Sequence, residues 1–186
     1  AVIQDRVTNT YANATLKYVG KSAIPKVRGA FRLNTSYKDF SLSAQFVYSL
    51  GGYGYDFQYS TLMTNGKVGN DSKHVDMRNR WMEPGDITAV PRLYSNQNVT
   101  AVSTSTRFLQ SSDYLSLNNI RLGYSVPSEF LTKFGLSGLN LWVSGDNLFL
   151  LSSRTGYIPT TSLTGTTDRY TYQPVSNYTL GVRIKF

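Results

Sequence analysis

Apolar side chains fall at every second position of Phe40–Leu50: Phe40, Leu42, Ala44, Phe46, Tyr48 and Leu50, against Ser41, Ser43, Gln45, Val47 and Ser49. Only Val47 breaks the alternation. A period of two belongs to a strand with one dry face and one wet face. The C-terminal segment repeats the pattern, with Tyr178, Leu180, Val182, Ile184 and Phe186 on one face and Thr179, Gly181, Arg183 and Lys185 on the other. In Val27–Tyr37 the apolar face carries Val27, Phe31, Leu33 and Tyr37, and the polar face Arg28, Arg32, Asn34 and Ser36.

Two more segments alternate with a slip of phase. Tyr114–Val126 begins with Leu115 and Leu117 and continues with Ile120, Leu122, Tyr124 and Val126, the slip falling at Asn118-Asn119. Leu139–Leu150 begins with Leu139, Leu141 and Val143 and resumes with Leu148 and Leu150 after Gly145-Asp146-Asn147. A β-bulge supplies such an extra residue. Each long strand could instead be two short ones.

The pattern predicts strands over 27–37, 40–50, 114–126, 139–150 and 174–186. At about 3.3 Å per residue and a tilt near 45°, such strands rise roughly 25–30 Å, the thickness of a bilayer's hydrocarbon. Soluble strands are usually about half as long. The fold class expected is therefore all-β, an antiparallel transmembrane barrel of which this chain holds the C-terminal five strands. Five strands cannot close, since small barrels need about eight. Both edges, 27–37 and 174–186, are expected to pair with further strands.

The connections alternate short and long, as barrels alternate periplasmic turns with extracellular loops. Lys38-Asp39 is a tight turn, and 127–138 a compact link in which Ser128 could cap a helical turn through Phe134 and Gly135 could end it. Residues 51–113 and 151–173 are long polar excursions, the first with room for a short helix over Asp56–Asn65. Pro25 argues against a strand through that point, and residues 1–26 are expected to complete an extracellular loop.

Composition changes the picture in two ways. Charged residues are only 16% of the 186, while aromatics reach 13% with fourteen tyrosines, which favours strands and turns over helices. The absence of cysteine excludes disulfide scaffolds and thiolate zinc sites. The mean hydropathy of −0.28 is compatible with a barrel, because only half of each strand faces lipid. No apolar run is long enough for a transmembrane helix. The net charge of +8 is spread singly, without the stripe that tracks phosphates, so nucleic acid is not an expected partner. The opening Ala1-Val-Ile lacks a signal-peptide shape, and the expected reading is the tail of a longer chain.

Catalytic chemistry has little to build on. His74 is the one histidine, and no nucleophile elbow or phosphate-cradling loop occurs. Asp56, Asp71, Asp76, Glu83 and Asp86 share an excursion, but their spacing matches no calcium loop. Triplets such as Asn98-Val-Thr100 arise by chance in so Asn- and Thr-rich a chain. Neither an enzyme nor a cofactor is expected.

The run Asp113-Tyr-Leu-Ser-Leu-Asn-Asn-Ile-Arg-Leu-Gly-Tyr-Ser-Val-Pro127 resembles a signature near the end of SusC/RagA-type TonB-linked outer-membrane proteins. Leu141-Trp-Val-Ser-Gly-Asp-Asn-Leu-Phe149 is similar to the penultimate strand of that family. Arg80-Trp-Met-Glu-Pro-Gly-Asp86 with Val90-Pro-Arg-Leu93 looks like its large external loop, and Ile24-Pro-Lys26 with Tyr37-Lys-Asp-Phe-Ser-Leu-Ser43 fits an earlier hairpin. One departure is Ile158 before Pro159, where the family tends to place an acidic residue. The resemblance implies a barrel of about twenty-two strands with an N-terminal plug. It also implies a SusD-like lipoprotein lid, energy from a TonB complex and import of oligosaccharides or peptides.

Several residues follow as candidates. Arg28, Arg32, Arg121, Arg183 and Lys185 share the polar phase and are expected to face the lumen, where charge is solvated; on the lipid side an Arg at mid-bilayer would cost roughly 2–4 kcal/mol. Tyr178, Leu180, Val182, Ile184 and Phe186 form an alternating C-terminal strand closed by an aromatic, the signal read by barrel-assembly machinery; a last edge strand that happens to end on Phe is the plainer reading. Tyr37, Tyr48, Tyr124, Tyr178 and Phe186 suit interfacial girdles. Tyr53, Tyr55, Tyr59, Trp81 and Tyr157 could meet a solute or a lid, or could simply pack within their loops. A soluble extracellular β-sandwich for adhesion or glycan binding is the rival architecture.

Overall fold

The computed structural model describes residues 2–3, 6–7, 10–66, 72–94, 104–168 and 172–186. Asp71 and the Asn98-Val-Thr100 triplet lie outside these residues. Two-residue strands β1 (Val2–Ile3) and β2 (Arg6–Val7) pair antiparallel, and a 3-10 turn covers Tyr11–Asn13. The main body is a five-stranded antiparallel sheet of β3 (Val27–Tyr37), β4 (Phe40–Leu50), β7 (Tyr114–Ser125), β8 (Gly138–Ser152) and β9 (Asn177–Lys185), in that order. The third strand ends one residue earlier than the sequence pattern suggests, the fourth is longer at both ends, and the fifth starts three residues later.

Register explains why the apolar residues line up. Directly opposed residues of an antiparallel pair project to the same face. One row reads Thr35, Leu42, Leu122, Val143 and Leu180 across all five strands; the next reads Tyr37, Phe40, Tyr124, Leu141 and Val182. The row between them reads Ser36, Ser41, Gly123, Trp142 and Gly181, and beyond lies Asn34, Ser43, Arg121, Ser144 and Thr179. One face is oily and the other polar. Phe31 stacks on Phe46 at 4.9 Å and Phe40 meets Tyr124 at 4.7 Å on the oily side. That side is open: Leu180 is 80% exposed, and no second sheet covers it among the described residues.

The phase slip in β7 is a bulge. Gln45 pairs with Asn119 and Phe46 with Leu117, leaving Asn118 as the extra residue. Leu115 and Leu117 therefore share a face with Ile120 and Leu122 despite their opposite parity. In β8 the outcome differs from the sequence expectation. Between Asp146, opposite Asn119, and Phe149, opposite Leu117, two residues face the single Asn118, and Asn147 adopts a left-handed φ of 53°. Parity is thereby preserved. Phe149 and Leu151, not Leu148 and Leu150, continue the apolar face, and Leu150 joins the row of Ala30, Val47 and Ser116.

Lys38-Asp39 makes the tight turn, Lys38 at φ 50°. The 127–138 link holds α2 (Ser128–Leu131) and a 3-10 turn (Thr132–Phe134) closed by Gly135 at φ 68°. Pro127 rather than Ser128 occupies the cap position, with no side-chain cap; Pro127 sets the entry geometry by itself. At the opposite end the 51–113 excursion carries β5 (Tyr53–Tyr55), paired with β6 (Leu109–Ser111), and α1 (Phe57–Leu62). Met63, Met77 and Phe108 are its buried centre, with Tyr55, Tyr59, Val90 and Leu93 packed around them. No helix among the described residues is long and apolar enough to cross a membrane.

Candidate functional site

The polar face and the loops at one end of it are where solute chemistry could occur. Arg28, Arg32, Arg121 and Arg183 all pair with residues of the polar rows, as does Lys185 opposite Gly138. Against these five cations the five strands contain one acidic residue, Asp146. Asp146 accepts a hydrogen bond from Asn119 at 2.7 Å, while Arg32 donates to Gln45. The Arg121 guanidinium lies 4.5 Å over the Trp142 ring, whose indole in turn covers Gly181 so closely that a Cβ there would fall 2.1 Å from it. Cation–π stacking fixes Arg121 without neutralising it. Arg28, Arg121 and Arg183 have no carboxylate partner among the described residues.

The loop end is built around Asp56, which is 1% exposed. Its carboxylate caps α1 by accepting from the Tyr59 amide at 3.0 Å. It also accepts from the Thr167 hydroxyl at 2.7 Å and from Arg154 Nη2 at 2.5 Å. Two excursions nearly a hundred residues apart are joined there. Arg154 stacks 4.1 Å over Tyr59, whose hydroxyl donates to Asp76 at 2.7 Å. Burial, helped by the Asp76 carboxylate, pushes the Tyr59 hydroxyl up to about 12.

The acidic residues of the first excursion are thus spent separately. Asp56 serves Arg154, Asp76 serves Tyr59, and Asp86 accepts from the Met82 and Glu83 amides at 2.8 and 3.1 Å, which holds its carboxyl below the usual range. No group of three or more potential metal ligands occurs among the described residues.

The loop aromatics are not equivalent. Tyr53 is half-buried beneath Lys21, whose Nζ lies 4.3 Å over the ring. Tyr55 packs 4.5 Å from Phe57, and Trp81 is half-buried with its amide donating to Val90 at 2.9 Å. Tyr157 corrects the expectation that it meets solute or lid. It is 1% exposed, its hydroxyl donates to the Gly165 carbonyl at 2.6 Å, and Ser152 Oγ donates to its own carbonyl at 2.6 Å. Burial raises the Tyr157 hydroxyl well above its ordinary value. The ring is a packing element of the loop.

Tyr37 closes β3, Tyr124 is next to last in β7 and Tyr178 is second in β9, each on the apolar face near a strand end. Sequence reasoning missed Asp56 and Arg154 as partners, because no period or motif links them.

Comparison with known proteins finds TonB-dependent receptors. No protein-family model matches the chain. It is 28% identical over 185 positions to TonB-dependent receptor P3 of Formosa agariphila, covering 94% of this chain and 18% of that one. TonB-dependent receptor P39 of the same organism is 28% identical over 166 positions, covering 85% and 16%. A structure of the RagAB peptide transporter superposes with a TM-score of 0.74 at 24% identity, covering 90% of this chain and 18% of that one. The RagAB peptide importer in its closed-closed state gives 0.71 at 22% identity, over 96% and 20%. The chain spans less than a fifth of the length of the curated relatives it matches. It is similar, over nearly its whole length, to a segment of TonB-linked receptors of the SusC/RagA type.

Proposed function

We propose that this chain is the C-terminal barrel segment of a SusC-like, TonB-dependent outer-membrane transporter that imports oligosaccharides or peptides together with a SusD-like lipoprotein. In this reading residues 27–186 belong to a closed barrel of about twenty-two strands. Residues 1–26 and the two excursions lie outside the cell, and the C-terminus lies in the periplasm. Contact with TonB falls to the N-terminal part of the whole protein. The five cations of the polar face then line the lumen, Tyr178 to Phe186 serve as the assembly signal, and Tyr53, Tyr55 and Trp81 are left as loop contacts for solute or lid. The chain works by passage and binding, without catalysis or cofactor.

A single observation carries the reading. The sheet is one layer with two opposed characters, oily rows on one side and every strand cation on the other. Lipid outside and water inside is the environment that suits both faces at once. A β-sandwich would need a second layer over Leu122, Val143 and Leu180.

The test compares two lysines one residue apart in the full-length protein. Leu180→Lys places charge on the oily face, at a cost of about 2–4 kcal/mol near mid-bilayer. Thr179→Lys places it on the polar face. Assembled barrel in outer-membrane fractions, read by heat-modifiable gel mobility, should fall sharply for the first and stay near wild type for the second. Equal behaviour of the two would overturn the assignment of faces.

A further inference from the structure

At the loop end of the polar face, segment 159–165 and the outermost polar row line a half-open cleft of about 210 Å³. Arg28, Ser49, Ser112 and Tyr114 line its floor, and Pro159–Leu163 with Gly165 form its roof. Three of the floor residues share one row of the sheet: Arg28 pairs with Ser49, and Ser49 with Tyr114. Ser49 and Ser112 are 5% and 4% exposed. Neither hydroxyl has a hydrogen-bond partner among the described residues, and Arg28 has neither a hydrogen bond nor an ion pair there. Both hydroxyl oxygens remain open to the cleft, and with the exposed Arg28 guanidinium beside them they form a set of free donors facing one space.

Ser112 is held there by close packing. A Cβ on Gly52 would lie 2.5 Å from Ser112 Oγ, and one on Gly165 2.4 Å from Ser112 Cβ. Gly165 also has φ 67°, which only glycine adopts without strain. The nearby carboxylate of Asp113 is occupied by the Gly51 amide at 2.5 Å and does not line the cleft.

We propose that this cleft binds a carboxylate of the imported solute, Arg28 giving the forked ion pair and Ser49 and Ser112 the additional donors. The inference rests on the transporter reading, because it places the cleft on the pore wall where solute enters from the loop side. One guanidinium and two hydroxyls match the lone pairs of a single carboxylate. The volume is about that of seven waters, below the size of drug-like pockets, so the cleft holds an end group and leaves the rest of the solute in the pore. A neutral sugar would leave the Arg28 charge unpaired.

The experiment uses the full-length protein in detergent and three probes: tetra-alanine with a free C-terminus, the same peptide as its C-terminal amide, and trigalacturonic acid. Calorimetry should show binding of the free-acid peptide, of the uronate, or of both, according to the source of the carboxylate, and none of the amide. Arg28→Gln should weaken the bound probe at least about tenfold, and Ser112→Ala by a smaller factor. Arg28→Lys keeps the charge without the fork and should fall between them, which covers a failure of Arg28→Gln to fold. Binding of the amide as tight as the acid, no binding of either acid, or an unchanged constant in the variants would overturn the proposal. So would a lowered Tm in Arg28→Gln with binding intact, which would mean that Arg28 pairs with a carboxylate of the protein itself. Heat-modifiable mobility of the same samples reports separately whether the barrel reading stands.

Discussion

Asp56 accepts hydrogen bonds from three donors in two distant segments, so its removal should be felt by both. Breaking a buried pair by deleting one partner costs about 3–5 kcal/mol, since the other charge stays buried and alone. Arg154 is 22% exposed, so the lower end applies. Asp56→Ala should loosen the loop end while leaving the strands intact. Amide exchange should accelerate roughly a hundredfold at Tyr59 and Thr167 and remain unchanged along β4 and β7. Arg154→Ala leaves the 1%-exposed Asp56 carboxylate without its countercharge and should cost at least as much as Asp56→Ala, although the Tyr59 and Thr167 donors keep their acceptor.

Tyr59 adds a pH dependence whose sign follows from its shift. Its folded pKa is raised, from 10.0 to about 12. Its contribution is then whole below about pH 10 and is lost as pH rises toward 12, where the folded state is forced to release the proton. Loop-end protection should decline across that window, and Tyr59→Phe should flatten the decline. An unchanged profile in Tyr59→Phe would show that another group governs it.

At the scale of elements, the bulge at Asn118 decides which face the second half of β7 presents. Without the extra residue, Ile120, Leu122 and Tyr124 would shift to the polar side and Arg121 to the oily side, since one residue of slip reverses every side chain. Deleting Asn118 should therefore abolish assembled barrel, read as loss of the heat-modifiable form. Asn118→Ser, which keeps the count, should assemble normally.

The same bulge shows how far the sequence could be read. Alternation revealed five long strands and their oily faces, because solvent on each side selects the residues along the whole strand. The β7 slip was legible for that reason. The β8 slip was misread: Leu148 and Leu150 are apolar, but Asn147 at φ 53° takes up the extra residue and leaves Phe149 and Leu151 on the oily side. Loop contacts were the least legible. The Asp56–Arg154 pair spans 98 residues with no period to mark it, and Tyr157 resembled the other loop tyrosines until its burial was seen.

At the scale of the whole molecule the outer strands pose the remaining problem. Among the described residues β3 and β9 each have a single neighbour in the sheet, which leaves one side of an eleven-residue strand and one side of a nine-residue strand without a ladder partner there. In water such edges recruit other chains. In hydrocarbon each unpaired group costs several kcal/mol, and the open oily face adds a drive to aggregate. Residues 1–186 expressed alone should therefore be insoluble without detergent. If the proposed barrel holds, neighbouring strands complete both ladders, and in the full-length protein the outward amides of β3 and β9 should be as protected from exchange as those of β4 and β7. A soluble, monomeric 186-residue fragment would mean that these edges and this oily face are satisfied within the fragment, and the barrel would have to be abandoned for a self-contained fold.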